Sequence, residues 1–258
     1  MAAIDSLVDA LVNARVKHEP CDQQAFDGIL VTQHDSYAVQ KQVAQRMGWL
    51  EQGFPRYWKS GGPSREAILT HALLPESGVW ISPARPDPSC FFSAEIEAEI
   101  AVRLAQDVTP EIARKLNAAD GPQLVDAIAV SIEIVDSRWR QGRTVPSLFS
   151  LADMQSHGAL VLGSWVQHDQ HRPQRAWDTQ LCSVAIGDHD PLVFKGTHPL
   201  KDPFWGLATW LGHATSAFGT APAGTVITTG SWCGVLPLRF GQRVKVEFEG
   251  IGQAEIQV

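Results

Sequence analysis

Long apolar runs are missing from this sequence, and none approaches the ~18–20 residues that a membrane-crossing helix needs. The N-terminus lacks a basic stretch followed by an apolar segment, the mark of a secretory signal. These absences predict a cytoplasmic protein with no membrane contact. Cysteine is scarce: Cys21, Cys90, Cys182 and Cys233 show no C-x-x-C spacing and no nearby histidine pair. That argues against zinc and redox motifs, and widely spaced thiols suit a reducing compartment. Clusters of Lys and Arg are lacking too. With 21 basic against 28 acidic residues the formal charge is −7, which gives no footprint for nucleic acid. There is no internal repeat, low-complexity tract or linker.

The 258 residues, 44% of them hydrophobic, can fill one large domain or a main domain with a small appendage. Nine Trp are scattered along the chain, as expected for core packing or a subunit contact. Ile4, Leu7, Val8, Leu11 and Val12 recur at helical spacing. Asp35 is positioned to cap a second helix with Val39, Val43 and Met47 on one face and Gly48 as its stop. Residues 51–92 are punctuated by Gly and Pro, leaving short strands between loops. Thr109-Pro110-Glu111 reads as a helix start. Residues 157–195 read as short strands, and Asp202-Pro203 opens a helix with Leu207, Trp210, Leu211, Ala214 and Phe218 as its stripe. Strands follow at 225–229, 236–240 and 243–248, the last forming a hairpin with 254–258. The pattern is α+β, with a helical N-terminal lobe over residues 1–55 and a β-rich catalytic domain over residues 56–258.

Phe92 to Leu104 alternates strictly: Ile96, Ala98, Ile100, Val102 and Leu104 interleave with Glu95, Glu97, Glu99, Ala101 and Arg103. Such a period-two run is a strand with one buried face. The three glutamates then share the other face, as a wet acidic surface or as oxygen ligands for a hard dication. A second alternating run, Leu124 to Val135, carries one carboxylate, Glu133, among apolar residues. A buried carboxylate needs a partner, either a cation or a salt bridge to Arg138 or Arg140. Glu97, Glu99 and Glu133 together would leave about half of an octahedral shell for water or substrate, as Mg²⁺ or Mn²⁺ prefers. An α-keto acid fits such a shell as a chelate, and the cation would stabilise its enolate. Lys59, in a loop rich in reactive side chains, is the candidate for moving protons at carbon, its pKa lowered by a nearby cation.

Several segments, in order along nearly the whole chain, resemble the 2-keto-4-pentenoate hydratase family of the fumarylacetoacetate hydrolase superfamily. They are Asp35-Ser-Tyr-Ala-Val-Gln40, Tyr57-Trp-Lys-Ser-Gly61, Leu74-Pro-Glu-Ser-Gly78, Glu97-Ala-Glu99, Glu133-Ile-Val-Asp-Ser-Arg138, the acidic turn at Asp153, Thr228-Thr-Gly-Ser231 and the terminal hairpin. The resemblance implies a mixed β-sheet roll, Glu97, Glu99 and Glu133 as metal ligands, Lys59 as the proton-transfer residue and Glu76 as an acid beside it. Glu95 has no counterpart among the ligands. The implied activity is hydration of a 2-hydroxy-2,4-dienoate to a 4-hydroxy-2-oxo acid in aromatic catabolism. The same ligands would serve a 2-oxo-3-enedioate decarboxylase, and a non-catalytic keto-acid-binding subunit is a further alternative. An acylpyruvate hydrolase would need a His–Glu pair beside Lys59, which the sequence does not show. A homo-oligomer, in association with another enzyme of the same pathway, is also implied.

The chain departs from the family's motif after Lys59, where Ser60-Gly-Gly-Pro-Ser-Arg65 replaces the usual run. Arg65 offers a rigid two-pronged partner for a carboxylate. Ser60, Arg65, His198 and Thr229 are therefore the candidate substrate-binding residues. His157, a lone histidine, is a weaker candidate than His198, which sits in a Gly-Thr-His-Pro turn.

Overall fold

Two long neighbouring strands organise the molecule. In the computed structural model, which describes residues 2–51, 53–169 and 175–258, β4 (Glu95–Leu104) and β5 (Val125–Val135) run antiparallel. Their alternation explains both: even-numbered residues of β4, Ile96 to Leu104, are all buried, and β5 is buried on both faces except at Asp126. Residues 170–174, inside the stretch expected to form short strands, lie outside the described residues.

The other strands are β1 (Tyr57–Gly61), β2 (Thr70–Leu74), β3 (Val79–Ile81), β6 (His157–Leu162), β7 (Val166–Gln167), β8 (Leu181–Ile186), β9 (Leu192–Lys195), β10 (Val226–Thr228), β11 (Leu236–Pro237), β12 (Arg243–Phe248) and β13 (Gly252–Gln257). Among the described residues, β2-β1-β10-β4-β5-β6-β3 form a mixed sheet, with β11 added on β4 and β7 on β5. Strands β13-β12-β8-β9 form a second sheet, and β12 and β13 lie against β5. The helices are α1 (Ala2–Lys17), α2 (Gln33–Arg46), α3 (Pro110–Ala113), α4 (Ser147–Ala152) and α5 (Leu207–Phe218). This is the expected α+β class. No described helix is long and apolar enough to cross a membrane.

One continuous apolar cluster joins Leu7, Val8 and Leu11 of α1 and Val39 and Val43 of α2 to the inner faces of both sheets. The N-terminal helices thus pack on the sheet body rather than around a core of their own. Trp58, Trp139, Trp210 and Trp232 are fully buried, with Trp58 edge-on to Trp210 at 5.8 Å.

Two helix starts differ from the sequence reading. Thr32, not Asp35, caps α2: its hydroxyl accepts from Asp35 N, and the Asp35 carboxylate accepts from Thr32 N at 2.8 Å, a reciprocal capping box. Asp202 closes only a turn, accepting from Phe204 N at 2.8 Å. Helical bonding in α5 begins where Trp210 N reaches Gly206 O.

Asp153 fastens the N-terminal helix to the body. Its Oδ1 accepts from Arg138 Nε at 2.7 Å and Arg15 Nη2 at 2.9 Å, its Oδ2 from Arg138 N at 2.9 Å, and none of it is exposed. Asp153→Ala strands two buried guanidinium groups, so unfolding free energy is expected to fall by about 3–5 kcal/mol in urea titrations. A loss under 1 kcal/mol would rule out this anchoring role.

Candidate metal centre

Pairing in register places Glu97 of β4 opposite Glu133 of β5, and Glu99, two residues on, shares Glu97's face. Carboxylate oxygens from all three lie within 4.8 Å of one another. Glu133 is fully buried, Glu99 nearly so, and Glu97 is half-buried at the cavity wall. Glu99 accepts from Gly230 N at 2.9 Å and from the Thr228 hydroxyl. Glu133 Oε1 accepts from Lys59 Nζ at 2.6 Å and His157 Nδ1 at 3.0 Å. Its other oxygen, Oε2, is buried with no partner among the described residues.

Three carboxylates against one ammonium leave an excess of negative charge in a poorly hydrated place. Burial, reinforced by Glu99 and Glu133 against the pull of Lys59, pushes Glu97 up to about 8. Burial and Glu133 push Glu99 up to about 7. Burial alone would raise Glu133 as well, but Lys59 and His157 outweigh it and hold Glu133 below the usual carboxylate range. Burial would lower Lys59, yet the attraction of Glu133, Glu97 and Glu99 wins and holds its ammonium above the usual value. The expected lowering of Lys59 depends on a cation, and the bare protein shows the opposite sign. The donor set fits a hard dication: all oxygen, two negative charges in excess, and one buried lone-pair oxygen aimed at no donor.

Glu97 and Glu99 line a 730 Å³ cavity together with Lys59, Ser60 and Gly230, and Glu133 is buried behind that wall. The other predicted site residues are not all brought there. Ser60 reaches the cavity, with its hydroxyl 2.9 Å from His71 Nδ1. Arg65 is exposed outside it, donating to Leu200 O at 2.6 Å and lying over the Trp205 ring. His198 and Thr229 are buried behind the wall: His198 Nε2 donates to Thr229 O at 2.9 Å, and the Thr229 hydroxyl donates to Ile100 O. Their contribution is to fix the backbone that presents Gly230. The structure also corrects the placement of Glu76 beside Lys59. Glu76 follows β2 in a one-turn helix, is exposed, and faces Arg56 at 3.8 Å across a different cavity. Glu95, expected to be no ligand, is gripped by Arg143 at 2.5 and 2.9 Å.

Neither expected arginine partner reaches Glu133, because Arg138 is committed to Asp153 and Arg140 lies 3.8 Å from Asp22. A His–Glu pair does stand beside Lys59, contrary to expectation. However, His157 is buried behind Glu133 and does not line the cavity, so it orients the carboxylate rather than a water. The sequence reading gives no role to Thr228, the partner of Glu99, to Arg143 on the cavity wall or to His71 behind Ser60. Thr228 lies inside a motif segment, and His71 in the reactive group around Lys59. Arg143 carries no local signal.

The chain belongs to the fumarylacetoacetate (FAA) hydrolase family, whose C-terminal region matches residues 81–258. Among curated proteins it is 30% identical over 163 residues to 2-keto-4-pentenoate hydratase 1 of Dechloromonas aromatica (strain RCB), a match covering 61% of this chain and 57% of that protein. It is 28% identical over 169 residues to 2-hydroxyhexa-2,4-dienoate hydratase of Comamonas testosteroni, covering 62% and 58%. The chain thus matches less than two thirds of the length of these relatives. Among solved structures, 4-oxalocrotonate decarboxylase from Pseudomonas putida G7, complexed with magnesium and adipate, superposes with a TM-score of 0.83 at 19% identity. That likeness spans 98% of this chain and 96% of the decarboxylase, and it shows the shared fold.

Proposed function

We propose that this protein is a Mg²⁺- or Mn²⁺-dependent hydratase that converts a 2-hydroxy-2,4-dienoate, or its 2-oxo tautomer, into a 4-hydroxy-2-oxo acid in aromatic catabolism. The observation that carries the reading is the convergence of three carboxylates, one with a buried oxygen that has no partner among the described residues, at a cavity lined by Glu97, Glu99 and Lys59. Two curated hydratases of the same family support it. Glu97, Glu99 and Glu133 would hold the cation, which when bound supplies Lewis-acid stabilisation of the enolate oxygen. Lys59, held protonated beside Glu133, gives a proton to the dienol carbon chain as it ketonises. Water then adds across the remaining double bond. We also propose homo-oligomers, association with another enzyme of the pathway, and a cytoplasmic setting in which the thiols stay reduced.

Loss of diene absorbance when purified protein and Mg²⁺ meet 2-hydroxypenta-2,4-dienoate, blocked by EDTA, is the expected result. Absorbance that does not change, or falls equally with EDTA, would overturn the reading. Decarboxylation of a 2-oxo-3-enedioate is the second reading, favoured by Arg143 on the cavity wall. Glu95 already occupies that guanidinium, so hydration stands first; CO₂ release from the dicarboxylate would reverse the order.

The proton load on Glu97 and Glu99 makes cation binding pH-dependent. Their folded values, about 8 and about 7, lie above that of a free glutamate, so the metal-free fold binds extra protons and loses stability as pH rises from 6.5 to 8.5. Buried histidines, lowered from 6.5, act only below that window. Mg²⁺ must displace those protons, so its affinity should rise about tenfold per pH unit for each proton displaced. Calorimetric titrations at pH 6.5, 7.5 and 8.5 test this, and a flat profile would contradict it.

A further inference from the structure

The cavity wall also contains a turn with an unusual backbone, to which Gln155 and Ser156 belong. Met154, Gln155 and Ser156 have φ of 52°, 56° and 58°, three consecutive non-glycine residues in the left-handed region. Each is unfavourable for an L-residue, and successive ones outside glycine are rare. The surrounding structure enforces the turn. Asp153, before it, is locked by Arg138 and Arg15; Ser156 O, at its end, accepts from Asp136 N at 2.8 Å. The chain then enters β6 at His157, and at the next residue, Gly158, any side chain would meet Asp136 Cβ at 2.9 Å.

This backbone turns Gln155 into the cavity, where its Nε2 donates to the Thr70 hydroxyl; Gln155 and Thr70 both line the space. The Thr70 bond uses one of the amide's polar positions and leaves its carbonyl oxygen and second N–H available. Thr70 stands opposite Gly61 in the β1–β2 hairpin, whereas Ala72 stands opposite Lys59. The Gln155–Thr70 pair is therefore displaced about 6–7 Å along the hairpin from the Lys59 row. It is also next to the Ser60–Arg65 segment, where the chain departs from its family's motif. Strain held at a cavity wall points to a functional contact.

We infer that Gln155 contacts the substrate, its amide hydrogen-bonding an oxygen at the end of the 2-oxo acid remote from the 1-carboxylate. The preferred substrate is then a dienoate with a distal hydroxyl or carboxylate rather than the bare five-carbon acid. This inference rests on the hydratase reading.

The test compares kcat/KM for 2-hydroxypenta-2,4-dienoate with that for analogues bearing a terminal hydroxyl or a terminal carboxylate. Wild type is set beside Gln155→Ala, which keeps the strained backbone, and Gln155→Gly, which removes the amide and relaxes it. Wild type should favour one oxygenated analogue, and the better of the two identifies the distal group. Both variants should lose about 10–100-fold on that analogue and less than threefold on the bare dienoate. Gln155→Gly should also melt a few degrees above Gln155→Ala, because glycine adopts this φ freely. Equal losses on all substrates, or none, would overturn the inference while leaving the hydratase reading intact. A wild type that turns over none of the three would overturn that reading and the inference with it.

Discussion

Glu133→Gln is expected to abolish cation binding and turnover together. Glu133 Oε1 receives both Lys59 and His157 while Oε2 is buried without a donor. An amide keeps the volume, but it removes the charge that balances Lys59 and places N–H groups where only acceptors fit. The loss of one carboxylate from an all-oxygen triad, with several kcal/mol of Lewis-acid stabilisation behind it, should lower kcat/KM about 10³-fold. Mg²⁺ affinity by calorimetry should fall below detection at millimolar ion. A variant that binds Mg²⁺ within threefold of wild type would show that Glu133 is no ligand.

Lys59→Met separates chemistry from binding. The ammonium is the positive group 2.6 Å from Glu133, and all three carboxylates attract it. Without it, turnover should fall about 10²–10⁴-fold, the range for loss of a positioned proton donor. Mg²⁺ affinity should hold or rise, since the ion no longer competes with a resident positive charge. The metal-free variant should lose about 3–5 kcal/mol of stability, because Glu133 is left as an unpaired buried charge, and saturating Mg²⁺ should restore much of it. Turnover within tenfold of wild type would remove Lys59 from the reaction. Weaker Mg²⁺ binding would contradict its role as counter-charge.

What the sequence made legible was local and periodic. Alternation over Ile96–Leu104 and Ile128–Ile134 defines two strands, and their one-sided carboxylates define the metal candidates; the antiparallel register then sets Glu97 directly opposite Glu133. The capping box at Thr32–Asp35 was readable as a spacing but assigned to its second member. Contacts made across the fold were not legible. Glu76 lies only two residues past β2, but a single turn sends it to another surface. Arg65 had the right chemistry, and a backbone carbonyl and an indole claimed it. His157 meets Glu133 through the β5–β6 pairing, which no spacing announces. The left-handed turn at Gln155 has no compositional signal, since it contains no glycine.

The Lys59–Glu133 bond has a consequence for how the protein acquires its metal. In the bare chain the ammonium is a built-in stand-in for the ion, neutralising part of the charge that β4 and β5 bring together. Folding can therefore precede loading, and chelation should empty the centre without unfolding the chain. The arriving ion meets a finished cradle whose tenant must shift, so occupancy follows the supply of free cation in the cell rather than the history of synthesis.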